Sequence, residues 1–169
     1  MASSLLIDRI GELVTNAPGP ADGVGPAPAL AAAGSPLSLG SDGHSVIDLV
    51  EEARWLELSQ RLVSRQRGHF TPADQALAAT ASGHACLGWP DAGEIVPGAY
   101  ADLVTVPLDS PRLAGGAGAD PLAALFAAGT AADVRHVVAS GVDVVGDGRH
   151  LLVDDVPGEL AAAISAVLD

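Results

Sequence analysis

Between Val46 and Arg65 runs the strongest helical pattern in the chain, entered directly from a short apolar segment through Gly40-Ser-Asp-Gly-His44. Apolar residues at 46, 50 and 53 and at 49, 56 and 63 fall on one broad face, which Leu58 and Leu62 extend. That spacing is the period of an amphipathic helix. Glu57 and Arg61 stand four apart in the favourable order, a small further support. Leu37 and Leu39 read as a short strand ahead of it. A strand that turns through small residues straight into a long helix is an α/β unit, and in such units ligands gather just past the strand's carboxyl end.

The remaining punctuation is regular. Leu5 to Val14 has helical spacing, and Asn16 to Pro28 collects prolines and glycines as a loop. A brief helix begins near Pro26, runs through Ala29 to Ala33 and is capped by Gly34. Thr71-Pro72-Ala-Asp74 opens another helix, which the pattern carries to about Leu87, with Gly88 ending it. Gly93 to Gly98 is a turn feeding a strand over Ala101 to Val106. The loop Ala114-Gly-Gly-Ala-Gly118 reads as a flexible linker, followed by a helix near Pro121 to Ala128. Val134 to Ala139 and Val142 to Val145 form a hairpin about Ser140-Gly141. Gly146-Asp-Gly148 turns toward a strand at Leu151 to Val153, and a last helix spans about Pro157 to Leu168.

Composition removes several function classes. Eight arginines, no lysine and 21 acidic residues give a net charge of −13. Nucleic acids and anionic membrane surfaces both require clustered cations, so neither is expected as a partner. No apolar run approaches the ~18 residues of a membrane span, and no basic region precedes the apolar residues near Met1. A single cysteine, Cys86, excludes an internal disulfide and fits a cytoplasmic location; its helical context predicts a packed side chain rather than a nucleophile. Aromatics are only 3% while hydrophobic residues are 49%, so a core must rest on Leu, Val, Ile and Ala. Some apolar faces of these helices are therefore expected to meet other protein, including the homo-oligomer that exposed apolar faces allow.

Asp42 is the leading candidate for chemistry. Its carboxylate follows the strand inside a glycine-flanked corner, where it can bind a cation or accept a proton. The competing reading makes Asp42 a cap for the helix that follows, with Asp48 a rival for that cap. His44, two residues on, is a candidate for the same site. His69, His84, His136 and His150 show no ligand spacing and are expected in surface or packing roles. There is no Gly-x-Ser-x-Gly elbow, dinucleotide fingerprint or phosphate loop.

From Gly40 to Arg67 the chain resembles the segment after the eighth barrel strand of formimidoylglutamate deiminases, which are zinc-dependent amidohydrolases. The likeness continues through Ala79-Thr80, Gly83-His84-Ala85, Leu87-Gly88, Gly93-x-Ile-x-Pro-Gly98 and Ala101-Asp-Leu-Val104. This second stretch is shared by amidohydrolases broadly. Ala132-Asp-Val-Arg-His-Val-Val138 and Gly146-Asp-Gly-Arg149 complete the tail, and Asp22-Gly-Val-Gly-Pro-Ala27 resembles the family's approach to strand eight. The match covers about residues 21 to 168.

The resemblance implies hydrolysis of N-formimidoyl-L-glutamate to N-formyl-L-glutamate and ammonia, in histidine degradation. It gives Asp42 two roles, zinc ligand and proton acceptor from the nucleophilic water, and leaves His44 as a substrate contact. Gly43 stands where the family usually has serine. The family's His-x-His, its later metal histidine and its helper residues have no counterpart, and a complete barrel needs about 250 residues.

The expected fold class is α/β, the C-terminal part of a metal-dependent (β/α)8 barrel plus strands of a small β-sandwich domain. Residues 1–20 form an atypical N-terminal segment, 21–90 the last barrel strand and its helices, 91–153 sandwich strands with an inserted helix, and 154–169 a C-terminal helix. The chain is expected to be a truncated deiminase, inactive and not retaining zinc alone, with a small-molecule substrate in the intact enzyme. The alternatives are a non-catalytic remnant or partner-binding fragment, and an amidohydrolase or deaminase of another substrate.

Overall fold

A computed structural model describes residues 24–41, 45–118 and 120–168. The expected helix over 5–14 lies outside them, as do Asp42, Gly43 and His44.

Helix α1 (Ala27–Ala32) ends as its composition predicts, with Gly34 at φ +80°. The segment after it departs from expectation. Residues 35–41 lie outside any helix or strand, and no strand pairs with them among the described residues. Two leucines in alternation favour a strand, but only a neighbouring strand can complete one.

Helix α2 (Leu49–Ser64) begins three residues later than the apolar pattern, because Asp48 caps it. The Asp48 Oδ1 accepts from the amides of Val50 and Glu51 at 2.9 and 3.2 Å, satisfying donors that a helix start leaves open. Arg65, at φ +58°, closes the helix. The buried stripe of α2 is Ala53, Glu57 and Gln60, so two polar side chains occupy the inner face. Leu49 and Val63, from the expected apolar stripe, remain 44% and 55% exposed.

Thr71 and Asp74 form a reciprocal capping box at the head of α3 (Pro72–Ala79). The single helix expected up to Leu87 is broken at Thr80, whose φ and ψ of −127° and −98° are not helical, and resumes as α4 (Ala81–Cys86). Gly93 explains why the break lies there. It sits at φ +88°, and a Cβ added to it would lie 2.7 Å from the Ala81 backbone. The turn after α4 folds back against the joint between the helices, and only glycine allows that approach.

Helices α2, α3 and α5 (Pro121–Ala128) pack against one another pairwise. Phe70 and Phe126 are buried with Ala53 and Ala78, while Leu113 and Ala92 complete a small core. The glycine loop before α5 is not the flexible linker its composition suggests. Gly116–Gly118 forms a 3-10 turn packed on α5, and a Cβ on Gly116 would meet the Ala124 methyl at 2.4 Å.

Among the described residues four strands form one sheet: β1 (Leu103–Thr105), β2 (His136–Ala139), β3 (Val142–Gly146) and β4 (Arg149–His150), all antiparallel in the order β1-β2-β3-β4. The expected hairpin is present, with Ser140 at φ +50° and Gly141 at φ +80°. Such two-residue turns match the twist of the strands they join. A bulge interrupts the β2–β3 register at Val137/Val138. The strand expected at Leu151 to Val153 forms earlier, at Arg149–His150, with Leu151 adding one bond from its amide to the Val144 carbonyl. Helix α6 (Val156–Leu168) closes the described chain with no buried residue.

Candidate functional site

Asp42 and His44 lie outside the described residues, but the chain is described on both sides of them. Before it, the Ser38 hydroxyl donates to the Cys86 thiol at 3.5 Å, linking the extended segment to the end of α4. Cys86, expected as a buried side chain, is half-buried and accepts this hydrogen bond. Ahead of α1, Gln60 Nε2 donates to the Gly25 carbonyl at 2.9 Å, holding that approach to the inner face of α2.

After the corner, Asp48 is the anchor. It is 6% exposed, and its second oxygen accepts from the Ala131 amide at 2.7 Å. One carboxylate thus caps α2 and fixes the loop that leads into β2. Asp133, next in that loop, accepts a bidentate pair from Arg112 at 2.9 Å to each oxygen. The Arg112 guanidinium holds the Asp133 carboxyl far below the usual carboxylate range. Arg54 donates through Nε to the Phe126 carbonyl at 2.9 Å and also bonds the Gly129 carbonyl, placing a cation at the negative end of α5. No local pattern announces these links, since Arg54 and its partners lie 72 and 75 residues apart.

A cleft of about 400 Å³ opens between α2, α3 and α5, lined by Arg54, Glu57, Arg61, Phe70, Gln75 and Phe126 among others. Its acid is already engaged. Glu57 accepts from Arg61 Nε at 2.7 Å and from the amides of Gly68 and Phe70 at 2.8 and 2.9 Å. Burial pushes this carboxyl up, but the Arg61 hydrogen bond and the two amides outweigh it, and the net shift is downward. A carboxylate held by three donors organises the turn at residues 65–70. The Gln75 amide is likewise committed to the Ala53 carbonyl.

The remaining histidines are dispersed as expected. His69 Nε2 lies 2.6 Å from the Ser64 hydroxyl, and His150 Nδ1 accepts from the Leu152 amide at 3.2 Å. His136 is 3.8 Å from Asp147, and His84 lies in the last turn of α4. Among the described residues no three His, Cys, Asp or Glu side chains come together to hold a metal. The described donors therefore do not by themselves form a complete zinc cage. None of the helices among the described residues is long and apolar enough to cross a membrane.

Residues 20–144 match the family model described as "Amidohydrolase family". The chain belongs to the amidohydrolase family. Among curated relatives of this amidohydrolase chain, the formimidoylglutamate deiminase of Pseudomonas aeruginosa is 40% identical over 136 residues, 76% of this chain and 30% of the relative. A 5-methylthioadenosine/S-adenosylhomocysteine deaminase of Natronomonas pharaonis is 35% identical over 79% of this chain and 31% of its own length. The fold agrees with solved structures. An adenosine deaminase from Xanthomonas campestris with bound zinc superposes with a TM-score of 0.73 at 26% identity, covering 85% of this chain and 32% of that one. An amidohydrolase from Brucella melitensis gives 0.71 at 30% identity, covering 88% and 34%. This amidohydrolase chain thus spans about a third of the length of the relatives it matches. Its backbone is that of an α/β amidohydrolase.

Proposed function

We propose that this chain supplies the closing third of a zinc-dependent amidohydrolase that hydrolyses the amidine C–N bond of N-formimidoyl-L-glutamate. In that reaction water adds to the formimidoyl carbon, the C–N bond breaks, and ammonia leaves with N-formyl-L-glutamate as product. Asp42 is the contributed functional group, one zinc ligand and the proton-holding carboxylate, and His44 contacts substrate. Residues 21–90 are the last barrel strand with its helices, and 91–153 belong to the small β-sandwich. The carrying observation is the 40% identity to the Pseudomonas aeruginosa formimidoylglutamate deiminase. The bonds of Ser38 and Asp48 support it, because they fix the described chain on either side of Asp42, and a metal ligand is served by fixed supporting residues.

A second reading has its own support. Several 5-methylthioadenosine/S-adenosylhomocysteine deaminases match at 32–35% identity, and a hydroxydechloroatrazine ethylaminohydrolase matches at 35% over 83% of the chain. On that reading the scaffold is the same and the leaving amine sits on a heteroaromatic ring.

A chimera separates the two. The matched third of the Pseudomonas aeruginosa enzyme is replaced by this chain, and ammonia release is assayed on formimidoylglutamate and on S-adenosylhomocysteine. Activity on formimidoylglutamate, lowered by about 10³-fold or more in the Asp42→Ala chimera, is the expected result. Ammonia released only from S-adenosylhomocysteine would transfer the assignment to the second reading. For the isolated 169 residues, no turnover and less than one zinc per chain are expected.

A further inference from the structure

Charge is unevenly balanced in the cleft between α2, α3 and α5. Glu57 and Arg61 cancel one another across a 2.7 Å bond. Arg54, about two turns earlier on the same helix, lines the same cleft and has no such counter-ion. Its Nε and Nη2 donate to the carbonyls of Phe126 and Gly129, and no carboxylate pairs with it among the described residues. Carbonyls satisfy donors without cancelling a full charge. Two of them leave three of the five guanidinium N–H groups for a further acceptor. Arg54 is half-buried, where an ion pair is screened less than on the open surface. In a chain of net charge −13, a cleft with one positive charge in excess is an exception.

Much of the remaining wall is apolar. Phe70, Pro72, Phe126 and Ala127 contribute to it, and the Gln75 amide is turned to the Ala53 carbonyl. A volume of about 400 Å³ lies in the range of small-molecule sites, which combine an apolar lining with a few polar groups that fix orientation.

We propose that this cleft binds a small carboxylate with an aromatic body, its carboxylate on Arg54 and its ring against Phe70 and Phe126. The planar fork of a guanidinium matches a carboxylate, and aromatic walls favour a flat apolar partner. The role is binding without turnover, and it does not depend on which amine the enzyme releases.

Calorimetric titration of the full chain with 3-phenylpropionate tests this. Two controls separate the contributions: 3-phenylpropionamide keeps the body without the charge, and acetate keeps the charge without the body. Saturable 1:1 binding is expected at about 1 mM or tighter, with each control at least about ten-fold weaker. The Arg54 Nε resonance should shift during a nitrogen-15 NMR titration, which reads where the carboxylate sits. Ala127→Trp fills the cleft from an exposed position on α5 and leaves the hydrogen bonds of Arg54 and Glu57 in place. It should preserve cooperative unfolding and weaken binding at least about ten-fold. Arg54→Met keeps the apolar stem, removes the charge and should lose as much. Should that variant fail to fold because the Phe126 and Gly129 carbonyls lose their donor, Ala127→Trp and the amide control decide. No saturable binding up to about 10 mM would overturn the inference, as would equal affinity for the amide. Undiminished binding by the Ala127→Trp chain would do the same.

Discussion

Glu57, Asp74 and Asp133 each hold a carboxylate below its ordinary value, and each does so through hydrogen bonds readable atom by atom. A depressed carboxyl contributes stability that is fully present above the unfolded value near 4 and is lost as pH falls through the folded value. The melting temperature should therefore be flat from about pH 7 to 5 and fall steadily below about pH 4. Asp133→Asn should lower the neutral-pH plateau and make the acid decline shallower, as differential scanning fluorimetry across pH would show. Glu57 gives a sharper test. Glu57→Ala leaves the Gly68 and Phe70 amides without an acceptor beneath the helices, an expected loss of about 2–3 kcal/mol in urea denaturation. Glu57→Gln retains one acceptor oxygen and should cost less. At this scale the Glu57–Arg61 spacing and the Thr71–Asp74 helix start were legible beforehand. The amides that make Glu57 structural come from the turn at residues 65–70, and a carboxylate's distant partners leave no periodic trace.

At the scale of elements, caps were legible and interruptions were not. Thr71 with Asp74, Gly34, Gly88 and the Ser140-Gly141 turn all act where composition placed them, because each works through bonds within a few residues. The break at Thr80 escaped because its cause, Gly93, lies 13 residues later in the chain. Gly93→Ala combines a left-handed φ with a backbone clash. It should destabilise by about 2–4 kcal/mol, measured by chemical denaturation, with a changed near-ultraviolet circular dichroism signal from the Trp89–Tyr100 pair that flanks the turn. Asp48 joins two elements, so its two bonds can be separated. Asp48→Asn can keep an oxygen on the α2 amides but turns an N–H toward the Ala131 amide. It should cost about 1 kcal/mol, against about 2 for Asp48→Ala, which also loses the cap.

For the whole molecule, the balance of buried and exposed surface is the governing fact. Six hydrophobic residues form the buried core among the described residues, while Ile47, Leu62, Leu87, Ile95 and Val167 are each more than 70% exposed. Hydrophobic stabilisation scales with apolar area removed from water, so the isolated chain should be weakly stable for its length, below about 5 kcal/mol at neutral pH. It should also bind the apolar dye ANS under native conditions. An isolated chain that binds no ANS at neutral pH would show those side chains to be covered in solution.

The sequence by itself determined the helices with their caps, the hairpin, the acidic and lysine-free surface, and the family, because each is written in neighbouring residues or in a run of them. Tertiary structure alone decided which face of α2 is buried and where the long helix breaks. It also decided that Glu57 serves the backbone and that residues 36–41 meet no strand among the described residues. The physical reason is range. Capping and turn geometry act within one helical turn, whereas burial and strand pairing depend on which distant surfaces meet, and an edge finds its ladder only when another strand arrives.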